Sequence, residues 1–299
     1  MVFTGSLVAL ITPFDRKGRL DRKTVEKLVE WHIAEGTDGI VCCATTGEGP
    51  CLSSSDKKAL AEICIRTSAG RIPIIVSTGT NDTRASVRDT ERAQKLGASG
   101  CLAVTPYYNK PTQRGLLLHY REIGKVGLPV IVYHNPPRAV IKLTFETIAE
   151  LGQIPNIVAL KDSNHDIEFA RKIHKLIPIF AGDDDVTVDV IRAGGVGSIG
   201  VTTNLIPRGW KKMVQYALQG QWDKADQLLQ RYTPLLKAIF SEVNPQGIKF
   251  ATSWIGKCQP ILRLPMLLPA ETAQLAIQKE ILRLALPQFV KQAIGYTQK

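Results

Sequence analysis

The sequence predicts an α/β protein built as a closed (β/α)8 barrel, the TIM-barrel fold, followed by a helical C-terminal extension. Three observations predict this fold. Short runs rich in Val and Ile recur along the chain, each run is followed by a helix-like segment, and the alternation occurs eight times. The runs are apolar on both faces, as expected when helices cover a parallel sheet.

Eight segments carry the strand pattern. They are residues 6–12, 39–45, 73–78, 100–106, 129–134, 157–163, 177–182 and 197–202. Amphipathic stretches lie between them, for example at 21–35, 54–68 and 85–96. An open doubly wound sheet is the alternative, but it needs a Gly-x-Gly-x-x-Gly turn after an early strand. The Gly194-Gly195-x-Gly197 pattern precedes a strand instead, which favours a tight turn in a closed barrel.

The strand pattern stops at Pro207, and helical periodicity takes over. It runs through residues 210–218, 222–240, 245–255 and 271–286. The first of these helices is expected to close the barrel. The sequence therefore predicts a barrel over residues 1–220 and a helical extension over residues 221–299. No low-complexity linker separates the two parts, so we expect them to pack together.

Composition and charge narrow the functional classes. The chain has 299 residues, 44% of them apolar, and no apolar run approaches the length of a membrane span. Residues 6–12 have the pattern of a strand and lack the basic leader of a secretory signal. The net charge of +11 is scattered in pairs such as Arg16-Lys17, without interleaved aromatic residues. We expect neither membrane association nor nucleic-acid binding, and a surface that attracts anionic metabolites.

Cysteine usage indicates a reducing compartment. Six cysteines occur, at Cys42, Cys43, Cys51, Cys64, Cys101 and Cys258, and none forms a Cys-x-x-Cys pair. Cys42, Cys43 and Cys101 fall inside apolar strand-like runs. This pattern favours reduced, buried thiols in a cytoplasmic protein over a disulfide framework or a zinc site.

Lys161 is the most informative polar residue, because functional groups in such barrels come from the carboxyl ends of the strands. It directly follows the apolar run 157–160, so its side chain should lie at the barrel mouth or interior. A buried ammonium is costly unless it is paired, whereas a neutral amine there is the nucleophile for imine formation with a carbonyl. The alternative is a structural salt bridge with Asp183 or Asp184. Lys249 lies in a helical pattern, where we expect its charged end to reach solvent.

Other strand ends carry the groups that an imine-forming lysine needs. Tyr133 is suited to pass protons, and Thr45 to link it to a second phenol. Main-chain amides around Thr46 form a turn that is able to hold a carboxylate, and Arg138 has the geometry to grip a second one. Structural alternatives exist for each: a phenol that caps the core, a simple turn, and a surface ion pair between Arg138 and Glu146.

Metal chemistry is not predicted. Asp183-Asp184-Asp185 is one acidic run, which is more often structural or solvated than a cation site. His134 is the one histidine at a strand end, and no metal-ligand spacing accompanies it. We therefore predict no metal ion at these positions.

Several of these motifs together resemble a known family. They are Thr45-Thr46-Gly47-Glu48, Pro106-Tyr107-Tyr108-Asn109, Tyr133-x-Asn-Pro136 with Arg138, and Lys161-Asp162-Ser163. The set resembles the pyruvate-dependent class I aldolase superfamily and, within it, the dihydrodipicolinate synthase family. The likeness covers nearly the whole chain, from residues 10–14 to residues 262–265, with the motifs in matching order and spacing.

The resemblance implies a catalytic set and an assembly. Lys161 would form the Schiff base, and Tyr133, Thr45 and Tyr108 would form its proton relay. In the family the tyrosine that matches Tyr108 comes from the neighbouring subunit. The resemblance therefore implies a homo-oligomer, usually a tetramer made of two tight dimers.

The resemblance also implies the two substrates, pyruvate and aspartate semialdehyde, and no external cofactor. Thr46 would hold the pyruvate carboxylate, with help from the main chain at Gly182 and Ile199. Arg138 would engage the carboxylate of aspartate semialdehyde. Another pyruvate-dependent aldolase of the superfamily, acting on N-acetylneuraminate or a 2-keto-3-deoxy sugar acid, is the alternative. A third hypothesis is a non-catalytic barrel that binds anions or nucleic acid. The scattered basic residues do not favour it, because such binding needs a clustered basic face.

The sequence departs from the family pattern near the second substrate. Ala44 stands where glycine is usual, His134 where asparagine is usual, and Ala139-Val140 where Thr-Gly is usual. The last change alters the segment that presents Arg138.

A further departure concerns feedback inhibition by lysine. The lysine-sensitive forms have a glutamate and histidines at a dimer-interface pocket. Here Asn81 and Tyr107 are kept, but Ala85 replaces the glutamate, and Ser54 and Lys57 replace the histidines. We therefore predict weak or absent inhibition by lysine.

Overall fold

The computed structural model describes residues 3–284, in which eight parallel strands close into a barrel in the order of the chain. The strands are β1 Gly5–Ala9, β2 Gly39–Cys42, β3 Ile74–Ser77, β4 Gly100–Val104, β5 Val130–His134, β6 Ile157–Asp162, β7 Ile179–Ala181 and β8 Gly197–Gly200. The predicted fold and all eight predicted strands are confirmed. Most strands end before the predicted segment does, so several polar residues at their carboxyl ends lie in loops.

The barrel closes where β8 pairs with β1. Ser6 is opposite Ser198 in this register, and Leu7 is opposite Ile199. The two strands approach so closely that a Cβ atom at Gly197 would collide with the carbonyl oxygen of Gly5. Glycine is therefore required at this junction.

Helices cover the outside of the barrel and form the extension. They are α1 Arg22–Ala34, α2 Ser54–Ser68, α3 Thr83–Lys95, α4 Gln113–Gly124, α5 Pro136–Ala139, α6 Phe145–Leu151, α7 Ile167–Ile173, α8 Thr187–Arg192, α9 Pro207–Leu218, α10 Trp222–Ile239, α11 Gln246–Trp254 and α12 Glu271–Arg283. Seven of them begin at side chains that accept hydrogen bonds from first-turn amides: Asp21, Ser53, Asp82, Thr112, Asn135, Thr144 and Asp166. The predicted helices are confirmed to within about three residues at each end; the predicted residues 285–286 of the last helix lie outside the described residues.

The core has two layers. A large cluster fills the space between the strands and the helices and includes Tyr120 and Trp210. A smaller one fills the barrel interior and includes Leu102, Phe180 and Ile199. Because side chains pack the barrel interior, the site is expected above the strand ends.

The extension packs on the barrel, and a buried ion pair joins them. Helix α10 contacts α8 and α9, and α11 and α12 pack against it. Lys249 of α11 donates to Glu48 Oε1 at 2.7 Å and to the carbonyl of Thr12 at 2.6 Å, and both charged side chains are fully buried. The expectation that Lys249 reaches solvent is wrong, because Glu48 supplies its counter-charge inside the protein. The boundary at residue 220 stays a prediction.

No helix among residues 3–284 combines the length and the apolar character that a membrane span needs.

Candidate active site

A cavity of about 420 Å³ lies above the carboxyl ends of the strands. Six of the eight predicted site residues line it: Thr45, Thr46, Tyr133, Arg138, Lys161 and Gly182. They come from the ends of β2, β5, β6 and β7, as expected for a barrel whose site is built from strand ends. One wall of the cavity is formed by residues 240–244, the segment between α10 and α11.

Lys161 and Tyr133 lie side by side at the centre of the cavity. They are register partners on β6 and β5, and the Lys161 Nζ atom lies 4.3 Å from the centre of the phenol ring. The two side chains are only 4% and 7% exposed. The amine therefore lies against the face of the phenol ring, and both groups share one cavity.

The structure does not contain the alternative salt bridge. Within residues 3–284 no carboxylate lies within salt-bridge distance of Lys161. Asp184 instead accepts hydrogen bonds from the amides of Val201 and Thr202 at 3.0 and 2.6 Å. A lysine that is buried and unpaired in a cavity is suited to react with a carbonyl carbon.

Asn135 connects the phenol to the segment that carries Arg138. Its Nδ2 atom donates to Tyr133 Oη at 2.6 Å, and its Oδ1 atom accepts from the Arg138 amide at 3.1 Å, which caps α5. The sequence motifs alone assigned no role to Asn135. The signal was present, because asparagine followed by proline at the first helical position is typical of a helix N-terminus.

The guanidinium of Arg138 is available to a ligand. It donates to the carbonyl of Asn244 at 3.2 Å, and its side chain is exposed at the cavity. The ion pair with Glu146 that the sequence allowed is not formed. Arg138 thus offers its remaining N–H groups to an anion.

Thr45 and Thr46 lie on a tight turn after β2. Hydrogen bonds from the Glu48 amide to Thr45 and from the Gly49 amide to Ala44 close the turn. Thr46 is buried, and its hydroxyl accepts from Asn244 Nδ2 at 3.1 Å. The extension therefore holds this turn in place through the same Asn244 that Arg138 contacts.

Tyr108 and Ile199 do not line the cavity. Tyr108 is 87% exposed, on a loop after β4 where its φ is +73°. Ile199 is fully buried in β8, two residues before Val201, which does line the cavity. No hydrogen bond within residues 3–284 joins Thr45 to either tyrosine, so one chain alone does not assemble the expected relay.

Two charged residues of the cavity were given no catalytic role from the sequence. His165 Nε2 lies 2.8 Å from Asp183 Oδ2, which brings the loops after β6 and β7 together. Burial raises the pKa of Asp183, although the charges of Lys161 and His165 act in the opposite direction. No group of three or more His, Cys, Asp or Glu side chains within the described part of the chain is arranged to hold a metal ion.

A closed (β/α)8 barrel with a buried lysine beside a tyrosine at its strand ends is the arrangement of the class I, lysine-dependent aldolases. The chain belongs to the dihydrodipicolinate synthetase family, whose family model matches residues 2–284. The recognition made from the motifs is thereby confirmed.

Individual relatives of known name align with this chain over most of their length. The 4-hydroxy-tetrahydrodipicolinate synthase of Thermodesulfovibrio yellowstonii is 41% identical over 270 residues, 89% of this chain and 92% of that one. That of Acidiphilium cryptum is 40% identical over 280 residues, 91% and 95% of the two chains.

Solved structures of the family superpose closely on the chain. The dihydrodipicolinate synthase of Aquifex aeolicus has a TM-score of 0.93 at 35% identity, covering 95% of this chain and 99% of that one. The Acinetobacter baumannii enzyme, complexed with pyruvate, has a TM-score of 0.91 at 37% identity, covering 93% and 97%.

Proposed function

We propose that this protein is a Schiff-base lyase that condenses pyruvate with L-aspartate 4-semialdehyde to 4-hydroxy-tetrahydrodipicolinate, in the diaminopimelate route to lysine. The observation that carries the proposal is the position of Lys161, which is buried, has no carboxylate partner within residues 3–284 and lies 4.3 Å from the centre of the Tyr133 ring. The names of the relatives support the same reaction.

The reaction begins at Lys161. Its Nζ atom attacks the keto carbon of pyruvate, water leaves, and a protonated imine forms. The imine withdraws electrons from the methyl carbon, which loses a proton through Tyr133 and becomes an enamine. The enamine carbon attacks the aldehyde carbon, and the product amine then cyclises and releases the lysine. Because the imine is the electron sink, no external cofactor is required.

Each substrate carboxylate has a proposed partner. Thr46 binds the pyruvate carboxylate through its hydroxyl and amide, at the turn that Asn244 holds in place. The main chain at Gly182 and Ile199 completes this pocket; their strands β7 and β8 pair through Ala181 and Ser198 just before Gly182. Arg138 binds the carboxylate of aspartate semialdehyde in bidentate fashion.

The relay requires a second copy of the chain. Tyr108 projects from the surface, and its backbone adopts the left-handed conformation that non-glycine residues seldom adopt. We propose that it enters the cavity of a partner subunit and reaches Tyr133 through Thr45. The protein is then a homo-oligomer, with a tetramer of two tight dimers as the proposed form.

We place the protein in the cytoplasm. All six cysteines are free, and four of them are buried. Reduced, buried thiols are typical of a reducing compartment.

Trapping of the imine tests the proposal. The protein is treated with borohydride in the presence of pyruvate, and its peptides are mapped by mass spectrometry. A pyruvyl adduct on Lys161 is expected, and Lys161→Ala should abolish both the adduct and turnover. An adduct elsewhere, or turnover that survives Lys161→Ala, overturns the mechanism.

Kinetics separate the proposed reaction from the alternative within the superfamily. We expect kcat/KM with pyruvate and aspartate semialdehyde to exceed that for cleavage of N-acetylneuraminate or 2-keto-3-deoxygluconate. The reverse order would indicate a sugar-acid aldolase, in which Ala139-Val140 has changed the second-substrate pocket.

A further inference from the structure

The second substrate of the proposed reaction carries an ammonium group, and Arg138 accounts only for its carboxylate. A cationic group that leaves water needs an anionic partner in the cavity. Among the described residues, two carboxylates line the cavity, Asp183 and Glu242. Glu242 is already engaged, because it accepts from the Ala270 amide at 2.7 Å and from Gln246 Nε2 at 3.0 Å. The Asp183 carboxylate contacts His165 through Oδ2, which leaves Oδ1 for the ammonium group.

The surroundings of Asp183 fit such a ligand. His165 Nε2 lies 2.8 Å from the Asp183 carboxylate, and both residues line the cavity that holds Lys161. Ser163 lines it as well; its hydroxyl is buried, with the residue only 2% exposed, and has no hydrogen-bond partner within residues 3–284. A buried hydroxyl without a partner costs free energy, so a polar ligand beside it would supply what the chain does not.

We propose that Asp183, paired with His165, receives the ammonium group of the second substrate and takes the proton that this group must lose before the ring closes. This inference rests on the function proposed above and assigns to Asp183 a step that follows carbon–carbon bond formation. Asp183 thereby acts on the amine end of the substrate, opposite the imine at Lys161.

The step balances without a redox partner. The ammonium nitrogen gives one proton to the Asp183 carboxylate and becomes an amine. This amine attacks the imine carbon, and a new carbon–nitrogen bond forms. The attacking nitrogen passes a second proton to Lys161 Nζ, the bond between that carbon and Nζ breaks, and Lys161 leaves as a free amine. The proton on Asp183 passes through His165, which is half-exposed, to solvent.

The charges around Asp183 suit a proton acceptor. Burial raises the pKa of its carboxyl group, and the charge of Asp185 acts in the same direction. Lys161, His165 and Ser163, all from β6 and the loop after it, lower the pKa. From α10, Lys237 lines a neighbouring cavity with Asp183. A carboxylate that is more basic than usual is a better general base near neutral pH.

The test compares Asp183→Asn with Asp189→Asn in the full-length protein. Asp189 is the matched control, because this aspartate of the following helix α8 pairs with Arg192 at 2.8 Å, is 48% exposed and does not line the cavity. Two partial reactions are measured beside turnover: the exchange of pyruvate methyl protons for deuterium, and borohydride trapping on Lys161 with pyruvate plus either aspartate semialdehyde or succinic semialdehyde, which lacks the amino group.

For Asp183→Asn we expect methyl exchange and the succinic semialdehyde adduct to be retained, while turnover falls about 100-fold or more, the usual size of a general-base contribution. The adduct containing both pyruvate and aspartate semialdehyde should accumulate on Lys161, because cyclisation is blocked. Asp189→Asn should behave like the unsubstituted protein. Unchanged turnover in Asp183→Asn, or a loss of methyl exchange equal to the loss of turnover, overturns the inference.

His165→Asn gives a second measurement should Asp183→Asn fold poorly. Position 165 has a φ of +55°, which asparagine tolerates better than most residues. We expect turnover to fall and the acidic limb of the kcat profile to move, with methyl exchange retained. If the acidic limb of the kcat profile stays at the same pH, the proposed role of the Asp183–His165 pair is overturned. If the unsubstituted protein forms no pyruvyl adduct on Lys161, the proposed function fails and this inference fails with it.

Discussion

His134 Nδ1 lies 2.8 Å from Asp162 Oδ1, with both side chains buried beneath the cavity. The other ring nitrogen, Nε2, accepts a hydrogen bond from the Leu143 amide at 3.1 Å. Because Nε2 accepts, Nδ1 carries the proton and donates it to Asp162. The pair follows the Tyr133–Lys161 pair directly in the register of β5 and β6. His134 therefore links strands β5 and β6 to the segment that follows Arg138.

His134→Asn, the residue usual in the family, should lose one of these two links. We expect the free energy of unfolding to fall by about 1–3 kcal/mol, the usual cost of an unsatisfied buried partner. The KM for aspartate semialdehyde should rise more than the KM for pyruvate, because the loosened segment carries Arg138. Urea denaturation and two-substrate kinetics measure both effects; an equal rise in the two KM values would argue against the link to Arg138.

Tyr133→Phe should separate imine formation from turnover. Without the hydroxyl that accepts from Asn135, we expect kcat to fall about 100-fold to 10,000-fold, as for a lost acid–base group, while borohydride still traps pyruvate on Lys161. Tyr120→Phe is the control, since this buried phenol donates to the Ala103 carbonyl away from the cavity. It should cost about 1 kcal/mol of stability and leave kcat intact. Similar kcat values for both variants would remove Tyr133 from the mechanism.

Val140→Gly should preserve or raise stability. Val140 ends α5 with a φ of +62°, and a β-branched residue in this conformation costs about 1–2 kcal/mol. The added chain entropy of glycine offsets roughly 0.5–1 kcal/mol of the gain. Val140→Ala is the matched comparison, because it keeps a Cβ atom and most of the strain. Thermal unfolding of the three proteins measures their Tm values. A lower Tm for the glycine variant than for the alanine variant would show that the backbone of Val140 is not strained.

Lysine should inhibit weakly or not at all. Ala85 offers no carboxylate to the ammonium group of lysine, and the cation of Lys57 lies in the same cavity as Tyr107. A ligand with a net positive charge is repelled there. Initial rates at millimolar lysine should stay close to the uninhibited rate. A complete inhibition curve in that range would show that other residues bind lysine, and Ala85→Glu with Lys57→His is the variant expected to gain sensitivity.

Acid should destabilise the fold through two buried histidines. Burial, with the charge of Lys257, lowers the pKa of His32 from 6.5 to about 3, and burial lowers that of His119 from 6.5 to about 4. The unfolded chain then binds protons below pH 6.5 that the fold does not. Their contribution is complete above pH 6.5 and is lost as the pH falls, by about 1.4 kcal/mol per pH unit for each ring. Urea unfolding between pH 7 and pH 5 measures the slope, and His119→Gln should reduce it. An unchanged slope would contradict the assignment.

The fold could be predicted from the sequence because its strands are buried on both faces. Apolar runs such as 157–160 predict a strand, and the position of Lys161 at the end of this run predicts that it lies at the barrel mouth. The lysine–tyrosine pair follows in the same way, since β5 and β6 are neighbours in a barrel that closes in chain order. These inferences need only local pattern and one topology rule.

Contacts between distant segments could not be predicted from the sequence. The burial of Lys249 depends on Glu48, 201 positions away, which a helical pattern does not reveal. The pairing of His165 with Asp183 depends on how two loops meet. Asn244 belongs to the extension and contacts both Thr46 and Arg138, and the sequence alone does not pair it with either. Such partners become visible only when the chain has folded.

Residues 240–244 make the shape of the cavity depend on the C-terminal extension. An eight-stranded barrel cut after α9 would keep the reactive amine but would leave its cleft open on one side. It would also lack the amide that steadies the threonine turn and the backbone carbonyl that orients the arginine. A truncated chain that ends after α9 should therefore fail to hold small anions in the cleft, even if its barrel folds.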